Sequence, residues 1–297
     1  MNSAQSRRAW LRRMLLTIPV AIAGLYLVLL ATMYFAQGWL IYPAPKGPGG
    51  QSPGFERIAY RTVDGLTLWA GYRAAVRGKP TILYFHGNGA DWQSSVAATD
   101  RLVAEGYGVL AAEYRGYRGN PGSPDEQGLY RDGRAAIEWL RKRGVLPDEI
   151  VLVGNSIGSG VAVQMATEFE PRALVLISPF ASLSHIVSEK FRWAPTNLLL
   201  RDRFANVDKM GHVAAPILLL HGDADTLIPS HHSRILSGAT PEARLTIFPG
   251  AGHELAWKAA AQREMLQFLE AVLPNPASPE PSARYRPGHR PARHAPR

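Results

Sequence analysis

The chain has 297 residues, 46% of them hydrophobic, no cysteine and a formal net charge of +9. That length can hold one large or two small domains, and the lack of cysteine excludes a disulfide framework, a thiol nucleophile and thiolate metal sites. The charge sits at the ends, with Arg7, Arg8, Arg12 and Arg13 unopposed before residue 14 and Arg284, Arg286, Arg290, Arg293 and Arg297 facing only Glu280 after residue 273, so the nearly neutral middle gives no support for a nucleic-acid-binding core.

Residues 1–13 read as a basic cytoplasmic N-terminus. Residues 14–36, MLLTIPVAIAGLYLVLLATMYFA, contain no charged side chain. As a helix they would span about 34 Å, against a hydrocarbon core of roughly 30 Å. Pro19 is tolerable in a membrane helix. Tyr34, Trp39 and Tyr42 read as an interfacial aromatic belt. A cleaved signal peptide is the alternative, but its apolar core runs only about 7–15 residues and ends in a small-x-small site. This run is longer, and no clear A-x-A follows. We therefore expect an uncleaved, single-pass anchor. The arginines ahead of it favour a cytoplasmic N-terminus, with the rest of the chain across the plasma (inner) membrane, in the periplasm if the source is a bacterium.

Residues 37–54 lead away from the anchor and, from Pro43 on, read as a linker rich in proline and glycine. Residues 55–273 then alternate between strand and helix patterns. Phe55–Val63 and Leu66–Ala74, joined by Asp64-Gly65, predict a hairpin. Thr81–Phe85 is a buried strand, Trp92–Glu105 a helix, Gly108–Glu113 a strand and Asp125–Arg143 an amphipathic helix. Glu149–Val153, Ala173–Ile177, Ile217–Leu220 and Arg244–Phe248 complete the strands, and Glu254–Val272 is the last helix. This order implies a mostly parallel sheet covered on both faces, with the hairpin as an antiparallel edge. The tail, residues 274–297, has almost no aliphatic side chains and is expected to be disordered.

The segment VLVGNSIGSG, residues 151–160, carries the chemistry. Three aliphatic residues suit a strand buried on both faces. After the glycine, Ile157, Val161, Ala162, Met165 and Ala166 recur at helical spacing. Ser156 thus lies between a strand and a helix, where a cramped turn admits only small neighbours such as Gly154 and Gly158. Read by itself, Gly-x-Ser-x-Gly is also a common chance match to a glycine-rich bend. It fits neither the dinucleotide fingerprint nor a P-loop. A serine hydroxyl needs a base, itself oriented by an acid, and in a doubly wound sheet these groups belong beyond the carboxyl ends of strands. Two loops qualify. One is LLLHGDADTLIP, with Asp225 and the competing Asp223. The other is IFPGAGHELAW, with His253 just before a helix. The N–H of Ile157, at the helix start, is one candidate oxyanion donor. The backbone of Asn88, in the loop His86-Gly87-Asn88-Gly89 after a buried strand, is the other, with Gly89 as its alternative.

With FHGNG, GNSIG, LLLHGDADTLIP and GAGHE in this order, the chain resembles the alpha/beta-hydrolase superfamily. EYRGYRGNPGSPDEQGLYRDGRAAIEWL and SPFASLSHI resemble its membrane-anchored depalmitoylase-like or serine-aminopeptidase-like members more narrowly. The resemblance covers about residues 35 to 272 and implies an eight-stranded alpha/beta-hydrolase fold. It also implies Ser156 as nucleophile, His253 as base and Asp225 as acid, three residues after the glycine, which leaves Asp223 as a turn residue. Asn88-Gly89-Ala90 departs from it, since alanine is expected before glycine. His86 and His221 are expected to be structural and satisfied by backbone groups, His231 and His232 to lie on an exposed helix, and Asp132 to support its helix against neighbouring loops. Tyr114-Arg115-Gly116-Tyr117 would border the acyl or leaving-group pocket. No metal or organic cofactor is implied. The segment between Ser178 and Pro216 is too short for a large cap, so an open pocket near the bilayer favours a small acyl or lipid-derived ester or thioester. An aminopeptidase-like amide hydrolase is the enzymatic rival. A non-catalytic lipid- or protein-binding scaffold of the same fold is the other.

Overall fold

The structure is a computed structural model and describes residues 3–272. The tail assigned to residues 274–297 lies outside the described residues. Helix α1, Ser3–Ile41, holds Pro19 in its interior. Its stretch Trp10–Ile41 is long and apolar enough to cross a membrane, with a mean hydropathy of 2.4 over its most apolar 18 residues. Helix α1 runs past the expected end of the apolar segment. Gln37, Leu40 and Ile41 stay helical because this end packs on the body of the protein, where Gln37 is buried.

The body contains one sheet of eight strands: β1 (Glu56–Arg61), β2 (Thr67–Arg73), β3 (Thr81–Phe85), β4 (Gly108–Ala111), β5 (Ile150–Asn155), β6 (Ala173–Ile177), β7 (Ile217–Gly222) and β8 (Arg244–Phe248). Their order is β1-β2-β4-β3-β5-β6-β7-β8. The β1–β2 hairpin is antiparallel and meets β4 antiparallel, while every pairing from β4 to β8 is parallel. Alternate side chains of the central strands feed two separate cores. Leu83, Leu110, Leu152, Leu174 and Leu219 face one side. Ile82, Val109, Val151, Val175 and Leu218 face the other. A strand buried on both faces has no polar positions, which is why these segments read as unbroken aliphatic runs.

Helices α2 (Trp92–Ala98), α3 (Asp100–Ala104), α4 (Glu126–Arg141), α5 (Ile157–Glu168), α6 (Leu183–Lys190), α7 (Thr196–Leu199), α8 (Asn206–Met210), α9 (His231–Ala239) and α10 (Ala259–Val272) complete the described chain. Helices α4 and α5 cover the first face, through Leu129, Ile137, Val161 and Met165. Helices α2, α3 and α10 cover the second, through Trp92, Leu102, Met265 and Leu269.

Most expected elements shift by a residue or two at their ends, and three differences have a visible cause. The single helix expected over 92–105 is two, because the Thr99 hydroxyl donates to the carbonyls of Ser95 and Val96 and ends the first. The last helix is preceded by a separate 3-10 turn, His253–Trp257. His221 and Gly222 are not a turn after Leu220. They pair with Ile247 and Phe248 and extend β7.

Strand β3 has β4 on one side and β5 on the other, although β4 lies between them in sequence. The winding direction therefore reverses at β3. In open α/β sheets, a crevice forms at such a switch, beyond the carboxyl ends of the strands. Asn88 follows β3 there, and Ser156 follows β5.

Candidate active site

Ser156 sits at φ 53° and ψ −121°, between β5 and α5. A non-glycine residue held there costs of order 1–3 kcal/mol and persists only where its surroundings enforce it. They do so here. The Ser156 N–H donates to the Ile177 carbonyl at 3.0 Å, and the Ser159 hydroxyl donates to the Ser156 carbonyl at 2.6 Å. The flanking glycines are sterically required. A Cβ on Gly154 would stand 2.6 Å from the Gly158 carbonyl oxygen, and one on Gly158 would collide with the Phe85 backbone. The strand and helix can approach this closely only without side chains there, and the strain turns Ser156 out of the sheet.

The structure brings His253 and Asp225 to this serine. His253 opens the 3-10 turn after β8, and Asp225 lies in the loop after β7. His253 Nε2 is 3.0 Å from Ser156 Oγ, and Nδ1 is 2.7 Å from Asp225 Oδ2. An ionised carboxylate only accepts, so Nδ1 carries the proton and Nε2 is left to accept from the hydroxyl. Asp225 Oδ1 accepts from the N–H groups of Leu227 and Ile228, each at 2.9 Å. Burial pushes the Asp225 carboxyl up. The bonds from His221, His253 and Ile228 outweigh it and hold the group well below the usual carboxylate range. Asp223 has a different role: its Oδ1 accepts from the Gly250 N–H at 2.7 Å, which pins the turn leading to His253.

Ile157 follows the serine directly, and Asn88 follows Gly87, where an added Cβ would come within 3.2 Å of Ser156 Cβ. Ile157 is the first residue of α5, where backbone N–H groups lack helical partners. Among the described residues, neither its N–H nor that of Asn88 donates to another backbone group. The Asn88 side chain is fixed at both ends. Its Oδ1 accepts from the Tyr117 hydroxyl at 3.1 Å, and its Nδ2 donates to the Ile41 carbonyl at the end of α1.

A second acid–histidine pair lies beneath that loop. His86 Nε2 is 2.6 Å from Glu113 Oε1, and both side chains are buried. The His86 ring also donates from Nδ1 to the Gly87 carbonyl at 2.9 Å, so its partners are not all backbone groups as expected. Burial alone would lower its pKa, but the Glu113 carboxylate and the Gly87 carbonyl carry it above the ordinary value. Sequence reasoning missed Glu113. Its only signal is an acid at the end of an apolar strand, GVLAAE. His221 is buried between the Ser233 hydroxyl at 2.6 Å and the Ile228 carbonyl at 2.8 Å, and its Nε2 also lies 3.5 Å from Asp225 Oδ2, so its partners too are not all backbone groups.

The Tyr114–Tyr117 segment braces the site from below. Tyr114 donates to the His86 carbonyl at 2.8 Å, and Arg115 pairs with Asp132 at 2.7 Å and with Asp64 at 2.8 Å. Asp132 thereby ties α4 to this loop and to the hairpin turn. His231 is exposed as expected, but His232 is not. It is fully buried, and burial lowers its pKa to about 4. With Glu189 these two form the one group among the described residues whose side chains could hold a metal ion, their ligand atoms lying within 4.8 Å of one another. Its residues belong to α6 and α9, apart from the serine.

The alpha/beta hydrolase family profile matches residues 82–211. An uncharacterized protein of Mycobacterium tuberculosis is 36% identical over 222 residues, which cover 72% of this chain and 79% of that protein. Alpha/beta hydrolase domain-containing protein 17C of Xenopus tropicalis is 31% identical over 225 residues, covering 74% of this chain and 71% of that one. The chain belongs to the alpha/beta hydrolase family. Among solved structures, the Pyrococcus furiosus esterase PF2001 superposes with a TM-score of 0.62 at 18% identity, over 77% of this chain and 97% of the esterase. At that identity the likeness is one of fold.

Proposed function

We propose that the chain is a membrane-anchored serine hydrolase that cleaves acyl esters or thioesters. The observation that carries this reading is the 3.0 Å separation of Ser156 Oγ from His253 Nε2, in a histidine whose other nitrogen is held by Asp225. Ser156 attacks the acyl carbonyl while His253 Nε2 takes its proton. Asp225 keeps the imidazole in the required tautomer and stabilises the imidazolium that forms. The backbone N–H groups of Asn88 and Ile157 receive the oxyanion, and each such donor contributes about 10²–10³ in rate. Collapse of the tetrahedral intermediate breaks the bond to the leaving group, which takes the proton from His253. Water, deprotonated by the same imidazole, then releases the acid and regenerates the serine. No step calls for a metal or organic cofactor.

The reading is supported by membership of a hydrolase family and by esterases among the fold neighbours. It is tested by offering the purified full chain acyl esters, thioesters and aminoacyl amides. Turnover of the esters or thioesters, lost in Ser156→Ala, is the expected result. Cleavage of the amides alone would instead favour the aminopeptidase reading.

Helix α1 is the membrane anchor in this account, with its arginines in the cytoplasm and the hydrolase domain on the far side of the plasma (inner) membrane. Its long, exposed apolar surface supports this. Alkaline phosphatase fused after residue 297 should be active; an inactive fusion of full length contradicts the orientation.

A further inference from the structure

Helix α1 does more than enter the body of the protein; it is locked against it. The Tyr26 hydroxyl donates to the Trp193 carbonyl at 3.0 Å. Gln37 is held twice, its amide nitrogen donating to the Leu199 carbonyl at 3.2 Å and its oxygen accepting from the Arg201 N–H at 2.9 Å. The Tyr42 hydroxyl donates to Asp202 at 2.8 Å. The bonds of Tyr26 and Gln37 lie about 17 Å apart along the helix at the usual rise, and Tyr42 stands one residue beyond its end. A tether would need none of them.

Between this stretch of α1 and the short helices α6 and α7 lies a pocket of about 390 Å³. That is within the range of small-molecule sites, which are mostly apolar with a few placed polar groups. Met33 and Leu40 of α1 line one side, and Val187, Phe191 and Leu199 line the other. Its polar lining includes Asn88, one residue beyond Gly87, where a Cβ would come within 3.2 Å of Ser156 Cβ. The pocket therefore reaches the loop that adjoins the serine. Its other end is set by α1 itself. Met33 lies within the uncharged run 14–36, whereas Leu40 lies just beyond it. With residues 14–36 in the bilayer, as proposed above, the pocket straddles the level at which the anchor leaves it. The outer flanks of its walls expose Trp39, Trp193 and Leu198, which are apolar enough to sit among lipid chains.

We infer that α1 is a wall of the acyl-chain site, and that the chain of a bilayer-borne ester or thioester lies between α1 and α6–α7 with its carbonyl at Asn88 and Ser156. This rests on Ser156 being the nucleophile. The anchor is then a determinant of specificity: Met33, Leu40 and Leu199 limit the length of acyl chain accommodated.

The test uses the full chain in lipid nanodiscs and a palmityl-length alkyl fluorophosphonate carrying a diazirine at the end of its chain. After reaction and illumination, an adduct on Ser156 with cross-links within residues 33–41 or 187–200 is expected. An adduct on Ser156 whose cross-links fall only elsewhere overturns the inference and leaves the nucleophile standing. No adduct on Ser156 removes both. Independently, Leu40→Trp or Leu199→Trp should lower the ratio of palmitoyl to butyryl ester kcat/KM at least about tenfold, since losing room for one or two methylenes is worth that much. An unchanged ratio contradicts the assignment.

Discussion

Two acid–histidine pairs stand at the same end of the sheet, and they are built for opposite purposes. Glu113–His86 is sealed, with both side chains 1% exposed and both ring nitrogens facing an acceptor. Asp225–His253 has an equally buried acid, but its histidine is 28% exposed and only one ring nitrogen is held by it. The free nitrogen meets a hydroxyl on a strained turn. A histidine whose two nitrogens both donate to oxygen acceptors is a brace. One that keeps an accepting nitrogen beside a hydroxyl can move a proton.

The two pairs should differ most in their response to loss of the acid, beginning with Asp225→Asn. Loss of the orienting carboxylate lets the imidazole adopt the wrong tautomer, so kcat should fall about 10⁴-fold while near-UV circular dichroism stays unchanged. A loss below tenfold would show that His253 does not depend on Asp225. Glu113→Gln should give the reverse pattern. Breaking a buried ion pair costs about 3–5 kcal/mol, read as a lower urea midpoint, with a much smaller loss of turnover per folded molecule. A variant as stable as the parent and as inactive as Asp225→Asn would erase the distinction.

The smallest effect is in pH. The pKa of His86 is raised by folding. Its contribution to stability is therefore whole below the ordinary imidazole value of about 6.5 and is lost as pH rises through the higher folded-state value. Urea midpoints taken between pH 6 and pH 9 should fall in the parent and fall less in Glu113→Gln. Parallel curves would mean that the pair carries no charge.

The layout of the sheet was legible in the sequence because each central strand is buried on both faces, so Ile82–Phe85 and Ala173–Ile177 read as uninterrupted apolar runs. The sharp turn at Ser156 was legible because only glycine fits at Gly154 and Gly158, and small residues leave a pattern. Contacts between distant segments leave none. Glu113 reaching His86, the burial of His232 and the bond from Asn88 to the end of α1 each join residues far apart in the chain, or depend on a helix's rotation about its axis. The same holds for α1. Its composition indicated a membrane segment, but Gln37 gives no local sign that it will bond to Leu199 and Arg201.

We propose that Ser156 is made nucleophilic by its position between a strained turn and His253. The most direct measurement is the intact mass of the purified full chain after exposure to a short alkyl fluorophosphonate, with the adduct mapped by peptide sequencing. One adduct per chain, on Ser156, absent in Ser156→Ala and slowed in Asp225→Asn, is the result this account predicts. A chain that stays unmodified, or is modified equally after Ser156→Ala, would contradict it.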